Sequence, residues 1–316
     1  MINNKTGKYE MNKKGENKMK KAFIISMLLV LFITLAGCNI NKMFQDNTPT
    51  EKYQKLEGEE AYTEGDGTLD NPYVIDTKGK LIYLSNQTNE NKGQKAYYEL
   101  QSDIDLEGIN WNPIKRFEGH FNGNGYEISN FVIKNEYPDH KYYTSYIGLF
   151  EVNYGTIERL GVTNFDIDVY WTRRGMCPSI GGIAGENYSV IKDCYAIGRI
   201  SGISTATIGN SSIPPYICID IGGIAGRFYE YSPELKAEIV NCYSNIDIDD
   251  YVKSRNSYEV IANRVEATHR KIINCTGSGY YKKEYYTNEL GWSEDIWDFD
   301  NPEFQNGGYL KLKRNK

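Results

Sequence analysis

Ile180-Gly181-Gly182-Ile183-Ala184-Gly185, followed six residues on by Ile191-Lys192-Asp193-Cys194, decides the fold, because both segments return together as Ile221-Gly222-Gly223-Ile224-Ala225-Gly226 and Ile239-Val240-Asn241-Cys242. An earlier copy pairs Ile147-Gly148-Leu149-Phe150 with Ile157-Glu158-Arg159-Leu160. A degraded later one pairs Val260-Ile261-Ala262-Asn263 with Ile272-Ile273-Asn274-Cys275. Two registers that repeat in step, at intervals of about 33 to 48 residues, make the chain an array. Each copy holds short β-rich segments broken by Gly and Asn, with no sustained apolar run at helical spacing, which selects a β-solenoid over a helical one.

In such an array, equivalent residues of successive turns stack about 4.8 Å apart, and one inward position becomes a ladder of like side chains. Ile157, Ile191, Ile239 and Ile272 form one expected ladder; Leu160, Cys194, Cys242 and Cys275 form another, with the thiols serving as small apolar groups. Arg159, Asp193, Asn241 and Asn274 precede the second ladder and are expected at a bend, where Asn and Asp tolerate the left-handed conformation. The pairs Gly181-Gly182 and Gly222-Gly223 are expected where a turn leaves no room for a Cβ. Excursions at about 198–220 and 227–238 interrupt the regular pattern.

Gly182-Ile183-Ala184-Gly185-Glu186-Asn187 with Val190-Ile191-Lys192-Asp193-Cys194 resembles the GLUG motif of bacterial surface and secreted proteins, among them adhesin-like molecules and some IgA-specific metallo-endopeptidases. The flanking Gly67-Thr68-Leu69-Asp70-Asn71-Pro72-Tyr73-Val74-Ile75, and Phe121-Asn122-Gly123-Asn124-Gly125-Tyr126, resemble the opening segments of these domains, and the resemblance covers roughly residues 66 to 313. It implies a right-handed parallel β-helix like that of pectate lyases and implies no activity. Tyr126 stands where His is common, and the copy at Val260 has lost its glycines.

Upstream, Lys18, Lys20 and Lys21 precede an apolar run from Ala22 to Ala36, the shape of a secretory leader and short of the roughly 20 residues a spanning helix needs. Leu35-Ala36-Gly37-Cys38 resembles a lipobox, which implies cleavage between Gly37 and Cys38 and a diacylglycerol and fatty acyl (palmitate-type) modification on Cys38. Residues 1–37 read as the signal peptide, with 1–18 as an upstream extension because Met19 opens a more conventional leader. Residues 38–65 read as the lipidated N-terminus and a flexible tether, and 66–316 as the β-helix with a C-terminal cap. The leader carries seven Lys against two Glu, so the mature chain stands at −11 against −6 for the whole. That acidity disfavours nucleic acid and docking to anionic lipid heads, leaving the acyl chains to hold the membrane.

The sequence offers no catalytic set at the usual spacings. The histidines at 120, 140 and 269 make no HExxH, and no GxSxG, P-loop or GxGxxG is present. The five cysteines at 177, 194, 218, 242 and 275 show no CxxC spacing, so neither a metal nor an organic cofactor is expected. Asp166 with Asp168, and Asp247, Asp249 and Asp250 in a later copy, could pair as carboxylates, although outward strand positions are polar in any case. Aromatic and basic residues in or near the predicted loops and excursions, namely Tyr142, Tyr143, Tyr170, Trp171, Arg173, Arg174, Tyr229 and Tyr231, are the candidate ligand contacts. Tyr280, Tyr281, Tyr285 and Tyr286, with Trp292 through Leu312, are expected to cover the last turn. The leading expectation is a monomeric, lipid-anchored cell-surface module that binds an extracellular glycan or protein. The alternatives are a polysaccharide lyase or glycosidase, and a structural envelope component.

Overall fold

The computed structural model describes residues 55–89, 95–137, 146–171, 178–204, 220–228, 237–249, 257–259, 261–265, 271–277 and 281–315. They form an all-β, parallel-stranded architecture consistent with a β-solenoid. Each repeat gives one strand to each of four sheets. In the best-formed repeat these are Ser179–Gly181, Ala184–Asn187, Val190–Lys192 and Tyr195–Ser204, defining the first to fourth sheets in chain order. Each pairs in parallel with its counterpart one repeat earlier and one later.

In the third sheet Ile157, Ile191, Ile239 and Ile272 stand in register, rung upon rung. Ile157, Ile191 and Ile239 are fully buried, as are Leu160, Cys194 and Cys242. The last rung departs from the expected core: Ile272 is 38% exposed and Cys275 half-buried, because among the described residues no further repeat stacks on them. At the bend, Arg159, Asp193, Asn241 and Asn274 all adopt φ between 50° and 52°. Asn241 donates to Asp193 Oδ1 (2.9 Å) and accepts from Asn274 Nδ2 (3.4 Å), so the bend is itself a ladder. Asn241→Val is expected to cost about 1–2 kcal/mol and Asn241→Gly less, read as urea-unfolding midpoints, because only the first forces a β-branched residue into the left-handed region.

The paired glycines answer a different demand. They are absent from the positive-φ residues; instead, a Cβ on Gly222 would lie 1.9 Å from the Ala225 carbonyl oxygen, and one on Gly182 would lie 2.8 Å from that of Gly223 in the next repeat. Close approach of backbones selects glycine there.

Four expectations need correction. Residues 198–204 are not an excursion but the second half of the Tyr195–Ser204 strand, paired out to Ser204 against Trp171. Residues 220, 227–228 and 237–238 likewise belong to strands or their approaches, leaving only 205–219 and 229–236 of those spans outside the described residues. The tether ends before residue 65, since Leu56 and Tyr62 pack on the core and Tyr62 stacks on Tyr73 at 4.6 Å. A 12-residue helix, α1 (Lys78–Asn89), lies in the crossover between the paired strands Tyr73–Ile75 and Tyr97–Leu100. Thr77 caps it by accepting from the Lys80 amide, and Leu81, Ile82 and Leu84 are buried in the core.

The C-terminal segment is the fourth. Tyr286, Trp292, Trp297, Phe299, Leu310 and Leu312 form a second apolar cluster over Tyr195 and Tyr243, which stack at 5.3 Å on the flank of two successive repeats. Tyr281 is 41% exposed. Trp292 does touch the last repeat, donating to the Asn274 carbonyl (2.8 Å), but the chain then runs back along the array. Arg314 reaches Asp103 (2.5 Å), and Asn315 donates to Asn124 (2.8 Å). The segment is therefore a strap spanning the repeats and not solely a lid on the last one.

Candidate functional site

The fourth sheet carries the candidate site. Its strands Val132–Tyr137, Gly161–Trp171 and Tyr195–Ser204 run out side by side in register, Tyr137 opposite Trp171 and Trp171 opposite Ser204. Inward, Ile133, Ile167, Ile200 and Ile248 make a buried ladder. The chain next appears at Tyr146, Pro178 and Asp220, each at or just before a first-sheet strand, and a fourth connection joins Ile248 in the fourth sheet to Ser257 in the first. Four successive connections, 138–145, 172–177, 205–219 and 250–256, thus start and finish at one corner of the array.

Four of the eight expected ligand residues, Tyr142, Tyr143, Arg173 and Arg174, lie in these connections. Gly37, Cys38, Tyr142, Tyr143, Arg173, Arg174, Tyr229 and Tyr231 are outside the described residues. The backbone of Tyr170 and Trp171 ends the Gly161–Trp171 strand, next to the 172–177 connection. In sequence, Tyr229 and Tyr231 fall between the second-sheet strand Ala225–Phe228 and the third-sheet strand Glu238–Val240, and not in a connection from the fourth sheet to the first.

Beneath the shared corner sits a charged cluster that the sequence reading missed. Arg227, on the second sheet, donates from Nε to Asp220 Oδ2 (2.6 Å), and its Nη1 lies 3.5 Å from Glu186 Oε1 one repeat earlier. The Glu186 side chain is 1% exposed and that of Arg227 9%; Tyr188 closes the set by donating to Glu186 Oε2 (2.9 Å). Burial raises the Glu186 carboxyl, against the lowering effect of Tyr188 and Arg227. The signal was present in the copies: Ala184-Gly185-Glu186 and Ala225-Gly226-Arg227 carry opposite charges at one repeat position, which stacking brings into register.

The same rule governs the outward rows. Arg199 stands between Asp166 and Asp247 in the fourth sheet, 3.8 Å from Asp166, so a cation is interleaved between the carboxylates of successive copies. In the third sheet Glu158 bonds His120 Nε2 (2.5 Å) and Lys192 Nζ (2.7 Å). Burial would raise the Glu158 carboxyl, but these two partners outweigh it and bring it down to about 2. Because its folded value lies below the ordinary 4.5, Glu158 adds stability above pH 4.5 that is lost as pH falls from there toward 2. Glu158→Gln is expected to flatten the acid limb of a stability–pH profile in that window; an unchanged limb would refute the assignment. Among the described residues, no group of three or more His, Cys, Asp or Glu could hold a metal ion.

No family model matches the chain. A Gly-rich membrane protein from Evansella cellulosilytica is 36% identical over 143 residues, covering 42% of this chain and 15% of its own length. Halomucin from Haloquadratum walsbyi is 36% identical over 99 residues, covering 28% of this chain and 1% of its own. The chain thus spans only a small part of either relative. Among solved structures, an immunoglobulin A1 protease-like protein from Bacteroides ovatus aligns with 81% of this chain and 96% of its own, at TM-score 0.44 and 19% identity.

Proposed function

We propose that this chain is a surface lipoprotein, anchored through acylated Cys38, whose right-handed β-helix displays a binding face for an extracellular glycan or protein. The observation that carries the reading is the common corner: four connections of successive repeats leave from one edge, and insertions gathered on one face of a repeat array are where such proteins bind. Trp171, Tyr142, Tyr143, Arg173 and Arg174 all belong to that edge or its connections, and supply rigid aromatic area with cationic donors. The membrane and mucin names of the relatives support a location at the cell surface.

The test is binding of the detergent-solubilised full chain to glycan and extracellular-matrix arrays, with Trp171→Ala and Tyr229→Ala measured separately because they belong to different connections of the chain. Loss of an anchoring aromatic costs about 2 kcal/mol, so Trp171→Ala should weaken a saturable ligand on the order of 30-fold while Tyr229→Ala leaves it near wild type. Equal loss in both, or no saturable ligand for the folded chain, would overturn the reading. Metabolic labelling with a palmitate analogue, abolished by Cys38→Ser, tests the anchor independently.

A further inference from the structure

We propose that Cys242 and Cys275 are a redox-active dithiol that closes to a disulfide and staples the last repeat to the one before it. The two cysteines are bracketed by paired residues on adjacent strands: Val240 with Ile273 on one side, Tyr243 with Thr276 on the other. The Cys242 amide donates to Cys275 Sγ at 3.4 Å, and each sulfur also contacts the carbonyl two residues before it. Adjacent strands lie about 4.8 Å apart, inside the Cα separation of about 4.4–6.8 Å that a disulfide spans, so closure needs side-chain rotation and no rearrangement of the fold.

The environment orders the chemistry. Cys194 and Cys242 are fully buried, whereas Cys275, on the exposed last rung beside Ile272, is half-buried and within reach of an oxidant. Its hydrogen bond with Cys242 lowers the Cys275 thiol against the opposing effect of burial, while burial raises Cys242. The Cys275 thiolate therefore attacks first. With a low-molecular-weight disulfide RSSR as oxidant, Cys275 forms a mixed disulfide and expels one RS⁻. Cys242, losing its proton, attacks the Cys275 sulfur, forms the internal disulfide and expels the second RS⁻. The two protons given up by the cysteines leave on two RSH, and the two electrons lost by the dithiol reduce RSSR. Cys194, next down the column, keeps its thiol because Cys242 can hold one partner at a time.

The test uses the full chain with Cys38, Cys177 and Cys218 replaced by Ser, exposed to oxidised glutathione, alkylated, digested and mapped by mass. The expected product is one peptide linking Cys242 to Cys275, with Cys194 alkylated and the urea midpoint raised relative to the dithiothreitol-treated chain. Cys242→Ser should stop at a glutathione adduct on Cys275. Because that variant loses a core thiol, Cys194→Ser provides a second check and should retain the link. A reaction that halts at the adduct with Cys242 present, a link through Cys194, or three unmodified thiols in a chain with intact circular dichroism would each overturn the proposal.

Discussion

Arg227→Ala is expected to lower the unfolding free energy by about 3–5 kcal/mol, the range for removing one member of a buried ion pair and leaving its partner charged. The damage is electrostatic as well as steric: Glu186 is 1% exposed and bonded to Arg227 and Tyr188, and Asp220 is also bonded to Arg227. The loss should depend on pH with a definite sign. The Glu186 carboxyl already stands above its ordinary value of 4.5 because burial outweighs its partners, and removing Arg227 deletes one lowering influence. A folded value above the unfolded one means that the folded state binds more protons. The variant's stability should therefore be least impaired below pH 4.5 and fall as pH rises above it. Urea unfolding at several pH values checks this, and Arg227→Ala with Glu186→Gln should recover part of the loss. A loss that is flat with pH would show that packing, and not the uncompensated carboxylate, dominates.

Trp297→Ala should cost a similar amount, about 3–5 kcal/mol for truncating a fully buried tryptophan, but the loss should be local. Trp297 stacks on Trp292 at 4.3 Å and lies 5.9 Å from Tyr243 and 6.3 Å from Tyr195, so it joins the strap to the flank of the array. That cluster is distinct from the main core, in which the isoleucine and cysteine ladders lie. Amide hydrogen exchange should accelerate across residues 281–315 while amides of the Ile191 and Ile239 rungs keep their protection. Equal acceleration in both regions would mean that strap and array unfold as one unit. Arg159 links the two, since its left-handed backbone at φ 51° aims a guanidinium at the Lys313 carbonyl (2.9 Å) and Asn315 (2.8 Å).

How far the sequence could be read depended on whether a feature repeats. Ile191 and Ile239 announce each other because stacking turns equal positions in successive copies into neighbours, and the same logic sets Glu186 against Arg227 and Glu158 against Lys192, opposite charges at equal positions of successive copies. Helix α1 carries no such signal. Part of its buried face is polar: Ser85 donates to the Asn112 carbonyl, Asn86 holds the Leu56 backbone, and Thr88 accepts from the Lys115 amide, so its burial leaves little apolar period to detect. The full length of the strand that ends at Trp171 is hidden for a related reason. Strand Gly161–Trp171 continues past the Asn164 bend, φ 52°, by borrowing partners from Val132–Tyr137 and Tyr195–Ser204, and a strand held by its neighbours need not show its length in its own residues.

By itself, then, the sequence determined the repeats, the parallel β character, the inward ladders and the left-handed bends, because each of these is a local preference multiplied by a translation that the copies state openly. Only the tertiary structure decided the strap, the cap at α1, the gathering of four connections at one corner and the charge pairs beneath it. The bonds that fix the strap join residues 154 to 211 positions apart, Arg159 to Lys313 and Asp103 to Arg314, between segments that share no period. Such contacts are set by which surfaces remain to be covered once the array has formed, and that surface exists only after folding.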